Sequence, residues 1–107
     1  MVGKIGIQKN KIGSMHHLMK KLKERSDRNL VLFLSYTDKC NVEFTKFVMA
    51  SRTLLSVQDA EFAFAYVEDF GKDIGNLKGL MQTTEFRKHQ CGVRVYRRGN
   101  IGDYRDF

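Results

Sequence analysis

The stretch Leu30-Val31-Leu32-Phe33-Leu34-Ser35-Tyr36 runs into Thr37-Asp38-Lys39 and then Cys40-Asn41-Val42-Glu43. Its first seven residues are apolar without alternation, the pattern of a central strand covered on both faces, as in a parallel sheet. From Cys40 onward the spacing changes. Phe44, Phe47, Val48, Ser51 and Leu55 fall on one stripe, which predicts a helix over residues 40–55. Residues 61–67, Glu-Phe-Ala-Phe-Ala-Tyr-Val, again lack a polar face and predict a second strand. A strand–helix–strand unit of this length implies a right-handed crossover, with 30–36 central and parallel to 61–67. Cys40 therefore falls at a strand-to-helix junction.

On the N-terminal side, residues 4–8 alternate weakly and predict a short strand. Ser14 has the character of an N-cap. Met15, Leu18, Met19 and Leu22 then follow at the spacing of an amphipathic helix ending near Ser26, with Lys20, Lys21 and Lys23 elsewhere on its circumference. On the C-terminal side, Gly71–Gly75 reads as a loop. Leu77, Leu80 and Met81 predict a shorter helix to about Lys88, weakened by Gly79. Val93, Val95 and Arg97 alternate with Arg94, Tyr96 and Arg98, which predicts a strand. Gly99-Asn100 lies in a turn, and Tyr104–Phe107 returns as the hairpin partner. The order is β-α-β-α-β-α-β-β, an α/β chain with a mixed sheet.

The chain has 107 residues, of which 42% are hydrophobic and eight are Phe, enough for a single domain over 1–107 with one core. No window approaches the ~18 consecutive apolar residues of a transmembrane helix. Met1-Val-Gly-Lys-Ile-Gly-Ile7 lacks the apolar core of a secretion signal. The expected setting is therefore cytoplasmic or otherwise intracellular, away from membranes, with the two Cys as reduced thiols. Residues 1–28 hold eight Lys/Arg against Glu24 and Asp27, and so carry six of the seven net positive charges. Such asymmetry points to nucleic acid or an acidic partner; a solubilising helix face is the plainer alternative.

A parallel half, a hairpin, Cys40 at the turn and the segment Val93-Arg-Val-Tyr-Arg-Arg-Gly99 together resemble the thioredoxin fold over nearly the whole chain. The resemblance implies that Cys40 is the attacking thiol, favoured as thiolate by the helix N-terminus and by Lys39, which stands where the family usually has Trp. It also exposes departures. Glu43 replaces the second Cys of the family's Cys-x-x-Cys pair, opposes a second negative charge, and cannot release a mixed disulfide. The chain has no proline, so the family's cis-proline is lost. Counting back eight residues from Gly99 puts Cys91 at that position, where the resemblance would bring it near Cys40 as a partner thiol. The pair then requires Cα atoms within ~7 Å of each other. The alternative is two unrelated thiols.

The family's last helix is also missing. The resemblance therefore implies an uncovered sheet face carrying Arg94, Tyr96 and Arg98, suited to stacking on bases, pairing with phosphates or meeting a protein. Lys20, Lys21 and Lys23 would add electrostatic attraction. His16 and His17 point ~100° apart on a helix, and with His89 they form no metal spacing, so neither metal nor cofactor is expected. The favoured function is a degenerate thioredoxin-like module binding a protein or ribonucleoprotein assembly without efficient dithiol reductase activity. A monothiol redox protein using Cys40, alone or with Cys91, and a nucleic-acid-binding protein are the alternatives.

Overall fold

The computed structural model describes residues 11–24, 26–36 and 60–107. Helix α1 spans Met15–Glu24. Strand β1, Asn29–Ser35, and strand β2, Ala60–Tyr66, follow. A succession of short helices comes next: α2 at Val67–Phe70, a 3-10 segment at Gly71–Leu77, α3 at Lys78–Met81 and α4 at Thr84–His89. The described chain closes with β3, Cys91–Tyr96, and β4, Tyr104–Asp106. The strands form one mixed sheet in the order β2-β1-β3-β4. β1 is parallel to β2 and antiparallel to β3, and β3 is antiparallel to β4. The two apolar runs are thus adjacent and parallel, as their composition predicts. Lys11 adds one parallel bridge to Phe64, with Ile12 N–H donating to the Phe64 carbonyl at 2.8 Å.

The pleat divides the interior in two. Leu30, Leu32 and Leu34 lie on one face of β1, opposite Ala63 and Ala65 of β2. The small alanines leave room on that face for Leu18 and Leu22 of α1 and for Phe70, Ile74, Leu77, Leu80 and Phe86 of the short helices. The other face gathers Phe33, Phe62, Phe64 and Cys91, with Val31 and Val93 packed against them. Fully burying a side chain of Leu or Phe size contributes about 1.5–3 kcal/mol, so both layers matter to the fold.

Local signals explain the element ends. Ser14 caps α1 as expected, its hydroxyl accepting from His17 N–H at 3.1 Å. α1 is described through Glu24, near the predicted limit, and Met19 from the predicted apolar stripe is 43% exposed. The single helix predicted from Leu77 to Lys88 is instead broken. Leu77 ends the 3-10 segment, and Thr83 starts a new helix by accepting from Phe86 N–H while donating to the Leu80 carbonyl. Gly75, at φ 52° and ψ −129°, takes a conformation open mainly to glycine and kinks the preceding segment. The predicted strand at 4–8 and helix at 40–55 lie outside the described residues.

Gly99 ties the hairpin turn to the end of α1. Its φ is +75°, and an added Cβ would come within 2.7 Å of the Leu22 carbonyl oxygen and 2.8 Å of Ser26 Cα. Backbone surrounds the position, so no flexible side chain can move aside. Gly99→Ala is expected to destabilise the chain by about 1–3 kcal/mol, measured by denaturant unfolding. Asn100→Ala, in the same turn, should cost less.

Candidate functional site

Cys91 opens β3, directly after the helix that ends at His89. Between them, Gln90 adopts the left-handed conformation (φ 64°, ψ 25°) that stops the helix and turns the chain into the sheet. Cys91 is registered opposite Ser35, the last residue of β1. The described chain continues from there through Tyr36, four residues short of Cys40 in sequence. The Cys91 side chain lies on the Phe33, Phe62, Phe64 face and is 5% exposed. It is disulfide-bonded, and no described cysteine is free. The only other cysteine in the sequence is Cys40. Cys40 and Glu43 themselves lie outside the described residues. The expectation of two reduced thiols is therefore corrected at Cys91. A buried sulfur among phenylalanines is shielded from solvent, so reagents reach it less readily than a thiol at a helix terminus.

The face expected to be open is closed. Arg94 and Tyr96 are both fully buried. They share the face of Leu30 and Leu32, because Leu32 pairs with Arg94 and Leu30 with Tyr96 across the β1–β3 ladder. Arg94 holds a fork of contacts. Nε donates to Asp106 Oδ1 at 2.6 Å and Nη2 to Oδ2 at 3.1 Å, while Nη1 donates to the Asn76 carbonyl at 3.0 Å and to Tyr96 Oη at 3.4 Å. The Tyr104 ring centroid lies 3.7 Å from the guanidinium carbon, and Tyr104 meets Tyr96 edge-on at 5.9 Å. Gly79 leaves space here, since an added Cβ would sit 3.4 Å from Nη2. This is a bidentate pair of the strong kind, inside the protein rather than at its surface. Burial works against the Arg94 charge, but the hydrogen bonds to Asp106 and Tyr96 and the charges of both outweigh it and raise the pKa above the ordinary value. Burial likewise pushes the Tyr96 phenol up, opposed in part by the hydrogen bond from Arg94.

Arg98 is exposed but lies beyond the end of β3, at φ 45°, with its backbone N–H donating to Asn29 Oδ1. Arg94, Tyr96 and Arg98 therefore do not form one surface. Among the lysines, Lys21 is a structural clamp. Its Nζ lies 3.1 Å from Glu61 Oε1, with both side chains under 20% exposed, and joins α1 to β2. Lys20 and Lys23 do face outward, beside His16 and Met19. His89 pairs with Glu85 at 3.4 Å on α4. No group of three metal-ligating side chains occurs among the described residues, and no described helix is long and apolar enough to cross a membrane.

The outward-facing hairpin residues are the ones the sequence reading passed over. Arg97, Arg105 and Phe107, with Val95, line an open groove of about 590 Å³. Their signal was available, as the other parity of the same alternating segment. Comparison with family models, with curated proteins and with solved structures gives no match for this chain.

Removing one partner of a buried ion pair leaves the other charge uncompensated, so Arg94→Leu is expected to destabilise the fold by about 3–5 kcal/mol. Combining it with Asp106→Leu should recover part of the loss, as read from a double-mutant cycle in urea. The raised Tyr96 pKa has a definite sign. The folded phenol keeps its proton where the unfolded one has lost it, so its contribution is complete below an unfolded value of about 10. It disappears as pH rises through the folded value. Unfolding measured between pH 8 and 11 should show a steeper alkaline loss than in Tyr96→Phe.

Proposed function

We propose that this chain is a degenerate thioredoxin-like module that binds a protein partner and exchanges disulfides with it through Cys91 and Cys40, without acting as a general dithiol reductase. One observation carries the reading: Cys91 is held in a disulfide at the edge of a buried phenylalanine layer, beside the end of the central strand. The parallel β1–β2 pair followed by an antiparallel β3–β4 hairpin supports the fold assignment. In open α/β sheets, sites form beyond the carboxyl ends of the parallel strands, and Ser35 is the carboxyl end of β1.

The chemistry is thiol–disulfide exchange. A partner thiolate attacks one sulfur of the disulfide, and the other leaves as a thiolate that takes up a proton. The partner's second thiol, as a thiolate, then attacks the partner's sulfur in that mixed disulfide, and this chain's remaining sulfur leaves as a thiolate and takes up a proton. The partner gains a disulfide, and this chain gains two thiols. In the reverse direction, where this chain reduces a partner, Glu43 stands at the family's second Cys position, so Cys91 must do the resolving. At 5% exposure, Cys91 is out of reach of casual substrates, which favours a docked partner over a broad range of proteins.

Alkylation of the aerobically purified chain, unfolded in guanidinium so that buried thiols react, followed by intact-mass measurement should add no label. After dithiothreitol, two labels should appear. Cys91→Ser and Cys40→Ser should each accept one label without reductant, and insulin reduction should stay far below that of a Cys-x-x-Cys protein. Two labels on the untreated chain would remove the disulfide from the proposal, and brisk insulin turnover would remove the restriction to a docked partner.

A further inference from the structure

The β3–β4 hairpin has a second face, and its side chains are arranged in ranks. The antiparallel register sets Val95 beside Arg105. The hydrogen bonds from Phe107 N–H to the Val93 carbonyl (2.9 Å) and from Arg97 N–H to the Asp103 carbonyl (2.8 Å) extend the ladder one step each way. Cross-strand neighbours project to the same side. Val93 and Phe107 therefore form an apolar rank, Val95 and Arg105 a mixed one, and Arg97 and Asp103 a charged one. Phe107 is 57% exposed, and the Arg105 guanidinium lies 5.7 Å from its ring centroid. Arg97 and Arg105 are exposed, and neither forms an ion pair among the described residues. Among the described residues, Asp103 is the one acidic side chain lining the groove, which Asn29 and Tyr104 also line.

We propose that this groove docks an extended acidic segment of a protein partner, with an apolar side chain over Phe107 and carboxylates on Arg105 and Arg97. The spacing supports that occupant. Side chains two apart on an extended peptide lie on one side, about 6.6 Å apart, which is the interval between successive ranks of the hairpin. A leucine or phenylalanine followed at i+2 and i+4 by glutamates would match apolar to apolar and carboxylate to guanidinium, a pairing that arginine makes in bidentate form. The exposed aromatic and the arginines are also the residue types that carry binding energy at protein interfaces.

Cys91 gives the groove a direction. Cys91, Val93 and Val95 occupy alternate positions of β3 and share a side, so the apolar end of the groove points along the strand toward the disulfide. Val95 and Cys91 are four residues apart, about 13 Å along a strand. A docked segment carrying thiols beyond its apolar residue would be led toward the exchanging pair. The inference thus deepens the disulfide-exchange reading by naming how a partner is chosen.

The test uses the whole chain and a fluorescein-labelled peptide with leucine, glutamate and glutamate at alternate positions and threonine between them. Fluorescence anisotropy at low salt should show saturable binding. Arg97→Glu and Arg105→Glu should each weaken it about tenfold, the equivalent of roughly 1.4 kcal/mol, and Phe107→Ala should weaken it comparably. A peptide with lysine in place of glutamate should not bind, and Lys20→Glu with Lys23→Glu on α1 should change affinity less than twofold. Binding should persist in Cys91→Ser, so a failure of the disulfide proposal would leave the docking result standing. A dithiol appended to the leucine end should reduce the wild-type disulfide faster than the free dithiol, with the advantage lost in Arg105→Glu. Affinity indifferent to the groove substitutions would overturn the proposal. So would equal sensitivity to the α1 lysines, or groove-dependent binding of a single-stranded oligonucleotide in preference to the acidic peptide.

Discussion

A guanidinium removed from water organises the C-terminal half of this structure. Arg94 stands on the interior face of β3, fully buried, where an uncompensated charge would cost several kcal/mol. Its partners come from different parts of the chain: the carboxylate of Asp106 on β4, the Asn76 carbonyl in the 3-10 segment, and the Tyr96 hydroxyl on its own strand. Together these contacts offset the cost of burying the charge. β4, a strand of three residues, is thereby fixed to the sheet by a side chain as well as by its backbone ladder, and the irregular helical run from Val67 to His89 is anchored at Asn76.

The same pleat that sends Arg94 and Tyr96 inward sends Cys91, Val93 and Val95 to the other side. One face of β3 therefore fastens the hairpin, while the other carries the disulfide-bonded cysteine and leads into the exposed groove. The division has a mechanical consequence. Arg97, Arg105 and Phe107 are exposed and make few contacts of their own, yet they project from a ladder whose hidden face is locked by a bidentate ion pair and two packed tyrosines. A surface on such a support loses less conformational freedom when it meets a ligand than the same residues would on a loop.

The parts of the fold legible in the sequence are those governed by local pattern. The apolar runs at 30–36 and 61–67 identify central strands, and Ser14 identifies a helix start, because each signal lies within a few residues of its effect. The hairpin was legible as a hairpin, but its facing was not. Val93 and Val95 alternate with Arg94 and Tyr96, and arginine is ordinarily at the surface, so the residues that carry a charge or hydroxyl were expected outside. Pairing with Asp106, twelve residues away, and with a backbone carbonyl near Asn76 reverses that preference, and neither partner is visible in a local window. An error of one residue in parity turns every side chain of a strand to the opposite face. The helix read as continuous to Lys88 fails for a similar reason: the spacing of Leu77, Leu80 and Met81 is helical, but the Thr83 cap fixes a break that apolar spacing does not encode. Nothing local to Cys91 in the sequence signals its disulfide.

The charge asymmetry of the sequence also takes on a different meaning. The basic N-terminal segment first reads as one attractive surface, but part of it serves the fold. Lys11 meets Asp69 at 3.2 Å and lies over the Tyr66 ring, and Lys21 is committed to Glu61. Lys20 and Lys23 remain outward on α1, and Arg97 and Arg105 on the hairpin. These two sets differ in what surrounds them. The α1 lysines stand beside one exposed methionine and two flexible stems, a setting for long-range attraction that salt screens readily. Of the hairpin arginines, Arg105 borders an apolar rank, where a bound carboxylate would be partly shielded from water and its pairing correspondingly stronger. Net charge can draw an acidic partner toward either surface, but only the hairpin joins charge to shape, and only the hairpin lies on the strand that carries Cys91.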